Sequence, residues 1–501
     1  MSIFKLIKHY VVYTKPLIFS IFAGMTSIGK KAKSEQKTSL VIIGSTFKSK
    51  PDYFLSKEQE HYITQEIKSN DKKFISLNAL NRLIFVIVIP ENKNHYTNLE
   101  LLRKHGATIA DALNANKHKE VQCVNEIGEA DFSLAFAEGI ALANYQFIKH
   151  KPTAKKQVNT LTSVFVIDQK ITAQHLSNLS IAVDATLKAR DLVNEPVNYL
   201  NAVDLAEAFK TMGKQAGFKV EVFNKAKIKQ LKMGGLLSVN QGSVDPPTFS
   251  VMEYKPKNAK NKKPYVLVGK GVVYDTGGLS LKPTANSMDM MKCDMAGAAA
   301  VGCTMYAIAK AKLNVHVIGL VPSTDNRPGF NAFAPGDIIE MMDGSTVEML
   351  NSDAEGRMIL ADALHYAKRY KPELTIDLAT LTGAAAAAIG QYGIVCMGNA
   401  TDEQKTKLTV SGLRMHERLV EFPFWDEYDE LLKSDIADQK NLGGPYGGAI
   451  TAGKFLQKFT DYPYMHFDIA GPAFVTGKDS YRGKGGTGYG VRLLFDFFSN
   501  L

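Results

Sequence analysis

The first half of the chain alternates short apolar runs with longer stretches of helical periodicity. Residues 40–43, 83–89 and 164–167 are rich in β-branched side chains and are bounded by Gly, Pro or Asn, which is typical of buried strands. Residues 95–150 predict two helices around a further strand, and a long helix is predicted over residues 175–193, ending before Pro196. This pattern predicts a small α/β domain.

The second half repeats the alternation more regularly. Residues 265–268, 315–321 and 375–378 are apolar runs, and residues 295–313 and 358–370 have helical periodicity. Such an order predicts parallel strands joined by crossover helices. In open α/β sheets ligands bind beyond the carboxyl ends of the strands, so polar residues that follow these runs are the first candidates for chemistry.

The length of 501 residues exceeds what one hydrophobic core usually organises. We predict an extension over residues 1–36, an N-terminal α/β domain over 37–180 and a larger C-terminal α/β domain over 181–501 with a mixed, mostly parallel sheet. The extension is interpreted as dispensable or as a targeting peptide; translation from Met25 and a structural role stay open. It contains no run of the ~18–20 apolar residues that a membrane-spanning helix needs.

Composition narrows the class of protein. Hydrophobic residues make up 45% and charged residues 22%, which argues against wholesale disorder and against a polytopic membrane protein. The net charge is +10, but residues 1–34 alone supply +6, so the body of the chain is only mildly basic. The four cysteines are widely spaced and form no Cys-x-x-Cys pair, which indicates a reducing compartment and no thiolate zinc site.

Three segments, 268–278, 291–298 and 351–357, place carboxylates next to glycine. Asp275 precedes two glycines, Asp294 stands at the start of an Ala/Gly-rich helix, and Asp353 and Glu355 are two residues apart. In an extended backbone the last two side chains would face the same way. Four converging acids would repel one another, so a multivalent cation is the economical explanation, and hard oxygen ligands favour Mg, Mn or Zn in a two-metal site.

Taken singly, these residues have simpler explanations. An aspartate at a helix start such as Asp294 is more often a cap than a ligand. The glycines after Asp275 could form an ordinary turn, and they lack the Gly-Lys-Ser/Thr ending of a phosphate-binding loop. Lys270 would ordinarily be a solvated charge, and Cys293 a packing residue.

Read together, the segments resemble the M17 leucyl aminopeptidases, also called cytosol aminopeptidases. The hallmark of that family is Asn-Thr-Asp-Ala-Glu-Gly-Arg, and residues 351–357 differ from it only by Ser352. Further matching segments are residues 190–196, 336–337, 377–383, 447–453 and 466–471. The resemblance identifies residues 181–501 as a metallopeptidase catalytic domain.

The resemblance implies a ligand set for two divalent ions per subunit, Mn or Zn with Mg or Co as alternatives. Asp275 and Glu355 would bridge the ions, Asp353 would complete the more exchangeable site, and Lys270 and Asp294 would complete the other. Lys270 would bind as a neutral amine, because two adjacent cations disfavour an ammonium group.

The resemblance also implies the catalytic groups. Lys282 would stay charged and stabilise the oxyanion, and Arg357 would hold a bicarbonate ion that acts as general base. One metal ion and Asp294 would bind the free α-amino group of the substrate, which makes the enzyme an exopeptidase.

Substrate preference and assembly follow from the same resemblance. Met291, Thr380 and Ala470 would line a mostly apolar pocket for leucine or a similar residue. Ala473 stands where some relatives carry a larger Met. The expected protein is a cytoplasmic homohexamer, two stacked trimers, that hydrolyses short peptides; an organelle is the alternative if residues 1–34 are a targeting peptide.

Other functions remain as alternatives. Serine or cysteine hydrolysis is disfavoured because no Gly-x-Ser-x-Gly elbow is present, and the His-Glu-x-x-His zinc motif is absent. A protein of the same fold with lost or secondary catalysis, for example a DNA-binding regulator or a structural protein, is a different class of candidate. All five ligand positions and both catalytic positions match the family, which favours an active enzyme, and nucleic-acid binding has no support beyond the basic extension.

Overall fold

The computed structural model describes residues 25–90 and 94–501. In the first part of this range an α/β unit is formed. Its elements are β1 (Ser27–Lys30), β2 (Ser39–Gly44), α1 (Lys57–Lys68), β3 (Phe74–Asn78), β4 (Leu83–Val88), α2 (His95–Ala115), β5 (Glu120–Asn125), α3 (Ala130–Ala143), β6 (Ser163–Ile167) and α4 (Ala173–Asn194).

The N-terminal sheet has the strand order β1-β6-β5-β2-β4-β3. Its neighbouring strands are parallel except for β3, which pairs antiparallel with β4. The β-branched runs predicted as strands are β2, β4 and β6, and the two helices predicted around a strand are α2 and α3 around β5. These predictions are confirmed, and their physical basis is visible: every residue of β2 and β4 is buried.

Two predicted boundaries fall on ordered elements. Within the segment assigned to an extension, β1 pairs in parallel with β6, so Ser27 lies opposite Ser163 at the edge of the sheet. The boundary after residue 180 lies inside α4, which contacts apolar residues of both halves of the chain. Residues 1–24, on which the targeting interpretation depends, lie outside the described residues, and the division at residues 36 and 180 stays a prediction.

The second part of the chain contains the remaining elements. Its helices are α5 (Ala202–Ala216), α6 (Lys225–Gln230), α7 (Gly234–Val239), α8 (Ala296–Lys310), α9 (Glu355–Ala367), α10 (Gly383–Ile389), α11 (Asp402–Met415), α12 (Glu427–Glu430), α13 (Gly448–Gln457) and α14 (Val491–Ser499). Its strands are β7 (Lys219–Phe223), β8 (Thr248–Tyr254), β9 (Tyr265–Gly269), β10 (Gly271–Asp275), β11 (Val317–Asn326), β12 (Asp337–Glu340), β13 (Thr346–Met349), β14 (Leu374–Ala379), β15 (Ile394–Gly398), β16 (Leu419–Glu421), β17 (Gln439–Lys440), β18 (Tyr464–Asp468), β19 (Phe474–Asp479) and β20 (Gly483–Gly486).

The C-terminal sheet has the order β16-β15-β18-β14-β9-β11-β8-β7, and β10 pairs with β11 beside this path. Its centre is parallel, from β18 through β14 and β9 to β11, while β15, β8 and β7 pair antiparallel with a neighbour. The predicted mixed, mostly parallel sheet is therefore confirmed. Small sheets of β12-β13-β17 and β19-β20 lie outside it.

Helix α8 explains how the centre of this sheet is covered. Every one of its residues except Lys310 is buried, and most of them are Ala or Gly. A Cβ atom at Gly297 would lie 1.9 Å from the carbonyl oxygen of Leu378 in β14, so only glycine permits this close approach. The small side chains thus bring the start of α8 directly against the strands that carry polar residues at their carboxyl ends.

No helix in residues 25–90 or 94–501 combines the length and apolar character needed to cross a membrane.

Candidate metal centre

Four carboxylates converge at one end of the C-terminal sheet. Asp275 is the last residue of β10, Asp294 precedes α8, Asp353 lies in the turn before α9, and Glu355 is the first residue of α9. One carboxylate oxygen from each of Asp275, Asp353 and Glu355 lies within 4.8 Å of the others. Segments that are distant in sequence therefore position their carboxylates close together.

The prediction that an extended backbone places Asp353 and Glu355 on one face is wrong. The backbone between them is not extended, because residues 352–353 form a turn and Glu355 begins a helix, with Ala354 at φ −108° and ψ 35°. The turn is held by the Asp353 amide, which donates to Asn351 Oδ1 at 2.8 Å. A turn that passes into a helix, rather than strand alternation, brings the two carboxylates together.

Lys270 follows β9 and lies at the centre of the cluster. Its Nζ is 2.8 Å from Asp294 Oδ1 and 3.0 Å from Glu355 Oε1, and it donates to the Thr380 carbonyl oxygen at 2.9 Å. Burial disfavours its charged form, yet Asp294, Glu355 and Asp275 together raise the pKa of Lys270 above its usual range. It is therefore a buried cation among acids and not the solvated charge of the simpler interpretation.

Lys282 faces the opposite side of the cluster. Its Nζ lies 3.0 Å from Asp275 Oδ2 and also pairs with Asp353, and its side chain is only 14% exposed. Burial opposes its charge, but Asp275 and Asp353 raise the pKa of Lys282 above the usual value, so it remains an ammonium group.

The loop that carries Lys282 is fastened to the turn that carries Asp353. Ser352 Oγ donates to the Gly277 carbonyl oxygen at 2.7 Å, and the Ser280 amide donates to Ser352 Oγ at 2.7 Å. Gly277 has φ +83°, and a Cβ atom there would lie 2.4 Å from the Ser280 carbonyl oxygen, so this turn requires glycine. Ser352, the one departure from the family motif, thus supplies the hydroxyl that joins the two loops.

Arg357 lies within α9 two residues after Glu355 and is buried. Its Nη1 donates to the Asn441 carbonyl oxygen at 2.7 Å, while Nε has no hydrogen-bond partner among the described residues. Burial lowers the pKa of Arg357 to about 10, which still leaves the group positively charged at neutral pH. The guanidinium therefore keeps a donor available for an anion.

Asp294 does not cap α8. The capping position belongs to Met295, and no side chain there caps the helix. Instead Asp294 Oδ1 accepts a hydrogen bond from Thr380 Oγ1 at 2.8 Å, and Oδ2 is buried without a hydrogen-bond partner in the described residues. The capping interpretation is excluded by these contacts.

The carboxylates have the properties of a cation site. Glu355 Oε2 and Asp294 Oδ2 are buried and have no partner in the described part of the chain, and Glu355 Oε1 lies 3.0 Å from Lys270 Nζ. Burial raises the pKa of Glu355 well above its usual range and that of Asp294 to about 7, and it also raises the pKa of Asp353. Buried carboxylates without sufficient donors are stabilised by a multivalent cation, so the residues present fit divalent metal ions.

The predicted pocket residues lie at different depths. Met291 is half-buried in a 3₁₀ helix (Met288–Cys293), and Ala470 is half-buried with its amide donating to Asp468 Oδ1 at 3.1 Å. Ala473 is 2% exposed and belongs to the hydrophobic core beside the sheet. Cys293 is buried in the same core, as the packing interpretation has it.

Asn326 is a site residue that no sequence motif marks. It is fully buried at the end of β11, and its Nδ2 donates to Asp275 Oδ1 at 2.8 Å and to the Ser352 carbonyl oxygen at 2.9 Å. The only signal in the sequence is its position at the polar end of a strand that begins as an apolar run. Asn441, which accepts from Arg357, follows no such strand and could not have been found in this way.

Comparisons with known proteins agree on one family. Residues 187–495 match the family model described as the cytosol aminopeptidase family, catalytic domain. A probable cytosol aminopeptidase of Chlorobaculum parvum is 54% identical over 315 residues, which are 62% of this chain and 62% of that protein. One of Geotalea uraniireducens is 40% identical over 453 residues, which are 88% of this chain and 90% of that protein. The chain thus aligns with about three fifths of the length of the first relative and with most of the second.

Solved structures of similar fold have been described. A mutant of tomato leucine aminopeptidase superposes with a TM-score of 0.84 at 27% identity, over 95% of this chain and 97% of that one. The bottromycin maturation enzyme BotP in complex with Mn superposes with a TM-score of 0.80 at 27% identity, over 92% of this chain and 99% of that one. Both likenesses extend over the N-terminal and the C-terminal sheet, and the comparisons give no support to a DNA-binding or structural role.

Proposed function

The chain belongs to the cytosol aminopeptidase family, and on this premise we propose that it is a metal-dependent leucyl aminopeptidase. It releases the N-terminal residue, leucine or another apolar one, from short peptides. The observation that carries the proposal is the convergence of four carboxylates on two lysines, Asp294 and Glu355 on Lys270 and Asp275 and Asp353 on Lys282. Two of their oxygens, Asp294 Oδ2 and Glu355 Oε2, are buried without a partner in the described residues.

Two divalent ions are the proposed cofactors. Asp275, Glu355 and Asp353, together with Lys270 and Asp294, would hold them. Carboxylate oxygens with one nitrogen suit Mn or Zn, with Mg or Co as alternatives, and the similar structure that contains Mn supports this choice. Lys270 would bind as a neutral amine. The adjacent cations would neutralise the carboxylates and repel the charge of an ammonium group.

The chain's own residues supply the remaining chemistry. When bound, such a pair of ions polarises the scissile carbonyl and makes a water molecule nucleophilic near neutral pH. Lys282 Nζ holds the negative charge that develops on the carbonyl oxygen, since it is a charged donor in a largely water-excluded position. Arg357 holds a bicarbonate ion as general base, and its unpartnered Nε is the donor that supports this assignment.

Exopeptidase specificity follows from Asp294. Asp294, together with one of the ions, would bind the α-amino group that only the first residue of a peptide offers. Met291, Thr380 and Ala470 line the pocket for the side chain of that residue. Ala473 is small and buried, so it leaves more room than the Met that some relatives carry there.

Removal of divalent metal is expected to reduce hydrolysis of leucine p-nitroanilide to background. The carboxylates then pair with Lys270 and Lys282 as in this structure, and no Lewis acid remains to polarise the substrate. Adding back Mn, Zn or Co to chelated, dialysed protein should restore the rate, and metal analysis of both preparations should give about two ions per subunit only in the active one.

The same assay separates the alternatives. Reagents that modify serine or cysteine nucleophiles should leave the Mn-restored activity unchanged, and N-acetylated leucine anilide should not be hydrolysed. Full activity in a preparation shown to be free of metal would contradict the proposal.

We also propose a homohexamer of two stacked trimers in the cytoplasm, as the family resemblance implies. The described residues expose large apolar side chains, among them Leu281, Phe330 and Trp425, which a subunit interface would cover. The four cysteines are free thiols, which suits a reducing compartment. Size-exclusion chromatography with light scattering should give six times the mass of one 55.0 kDa chain, and a monomer would contradict the assembly.

A further inference from the structure

We propose that Asn326 and Thr380 are positioning residues that decide which oxygen of Asp275 and of Asp294 is left for a divalent ion. The inference rests on the metal-dependent function proposed above and goes beyond it, because neither side chain is a ligand in that proposal. Each is an uncharged donor that contacts one oxygen of one carboxylate.

Asn326 is held by its side-chain nitrogen and by its backbone carbonyl oxygen. Nδ2 donates to Asp275 Oδ1 at 2.8 Å and to the Ser352 carbonyl oxygen at 2.9 Å, and since both partners are acceptors, the nitrogen must face them. Its backbone carbonyl oxygen accepts from the Thr276 amide at 3.1 Å and from Thr276 Oγ1 at 2.8 Å. Asn326 therefore joins the Asp275 loop to the turn that carries Asp353.

The consequence for Asp275 is that its two oxygens are no longer equivalent. Oδ1 accepts from Asn326 and also from the Gly277 amide at 2.8 Å, so its hydrogen-bonding capacity is used. Oδ2 has no such pair of donors and lies 3.0 Å from Lys282 Nζ. Oδ2 is thus the oxygen available for an ion.

Thr380 likewise occupies one carboxylate oxygen of Asp294 and leaves the other without a donor. Its Oγ1 donates to Asp294 Oδ1 at 2.8 Å, and Lys270 Nζ lies 2.8 Å from the same oxygen. Asp294 Oδ2 is buried and has no hydrogen-bond partner among the described residues. A residue assigned to the wall of the substrate pocket therefore also orients a ligand.

The energetic reason is general. A carboxylate that can rotate loses rotational freedom when it binds an ion, and a donor that fixes one oxygen removes that cost beforehand. Replacing such an outer partner of a metal ligand typically weakens metal binding by about 10–100-fold. Both residues are neutral, so their effect is on orientation and not on the net charge of the site.

The test measures binding of Mn²⁺ alone to metal-free full-length protein by isothermal titration calorimetry. Thr380→Val, which keeps the side-chain shape and removes the hydroxyl, should weaken one class of Mn²⁺ site by about 10–100-fold. Thr380→Ser keeps the hydroxyl and should bind within about threefold of wild type, as expected of a retained outer partner. Asn326→Leu should weaken Mn²⁺ binding by the same order as Thr380→Val.

Thr460→Val is the matched control, because Thr460 Oγ1 donates only to the Gln457 carbonyl oxygen, outside the site, and its Mn²⁺ affinity should equal that of wild type. Wild-type affinity in Thr380→Val and Asn326→Leu, or equal losses in Thr380→Val and Thr380→Ser, would overturn the inference. If Asn326→Leu does not unfold cooperatively on heating, the Thr380 pair decides. Absence of Mn²⁺ binding by wild type would instead overturn the proposed function, and this inference with it.

Discussion

Replacing Glu355 by Gln is expected to lower kcat/KM for leucine p-nitroanilide by about 10³-fold, the upper end of the effect of removing one preorganised electrostatic group. Glu355 is 1% exposed; its Oε1 lies 3.0 Å from Lys270 Nζ, and its Oε2 has no partner in the described residues. Gln has nearly the same shape but no charge, and its NH₂ group would turn a donor toward Lys270 or toward an ion. Since Glu355 is proposed to contact both ions, the substitution should reduce the bound metal as well as the rate.

The measurement combines steady-state kinetics in Mn²⁺ with metal analysis of the same samples. Glu403→Gln is the control, because the Glu403 side chain is 77% exposed and pairs only with Lys407 on the surface of α11. It should retain wild-type kinetics and metal content. Wild-type turnover by Glu355→Gln at full metal content would show that the ligand assignment is wrong.

The sequence predicts best those strands in which nearly every residue is buried, because burial selects apolar side chains along the whole strand. Strands β9 and β14 form the middle of a parallel sheet that is covered on both faces, so β9 is a continuous apolar run and every residue of β14 is buried. Strand β1 lies at an edge and is half-exposed, with Ile28 as its one large apolar residue, so no apolar run distinguishes it from an extension. Its place depends on its pairing with β6, which is more than a hundred residues away.

The candidate site divides in a similar way. The ligand positions could be proposed because the chemistry requires acids and glycines in short segments, and the family motif names them. The partners that orient those ligands could not, because their residue types are common and their contacts are distant in sequence. Thr380 and Asp294 are 86 residues apart, and Asn326 and Asp275 are 51 apart. Only the folded sheet, which brings the ends of β10, β11 and β14 together, reveals these pairs.

The same distinction explains the turn before α9. Spacing alone placed Asp353 and Glu355 on one face by strand alternation, whereas the chain turns and starts a helix between them. Gly356 shows what this requires, since a Cβ atom there would lie 2.5 Å from Lys270 Cε. Residues 351–357 therefore meet two requirements. Asp353 and Glu355 supply ligands for an ion, and Gly356 leaves room for Lys270, which only the three-dimensional structure reveals.

Replacing Lys282 by Met is expected to lower kcat by about 10²–10³-fold, the usual effect of removing one group that stabilises an oxyanion, while KM stays within a few-fold. Met fills a similar volume without the charge. Lys282 is held at Asp275 Oδ2 and Asp353 and remains an ammonium group, so its removal takes away positive charge where negative charge develops on the carbonyl oxygen. Lys282→Arg, which keeps the charge in a larger and differently shaped group, should recover only part of the rate.

Whether the substitution changes kcat or KM distinguishes oxyanion stabilisation by Lys282 from a role in substrate binding. A group that binds substrate and transition state equally would raise KM and leave kcat unchanged, whereas one that acts only on the developing oxyanion lowers kcat. Lys312→Met is the control, because Lys312 is exposed beyond the end of α8, remote from the carboxylate cluster, and its loss should change neither constant. Metal analysis should find both ions retained in Lys282→Met, since Lys282 is not a proposed ligand. A change in KM alone, at full metal content, would show that Lys282 binds substrate. It would contradict the proposal that Lys282 stabilises the oxyanion.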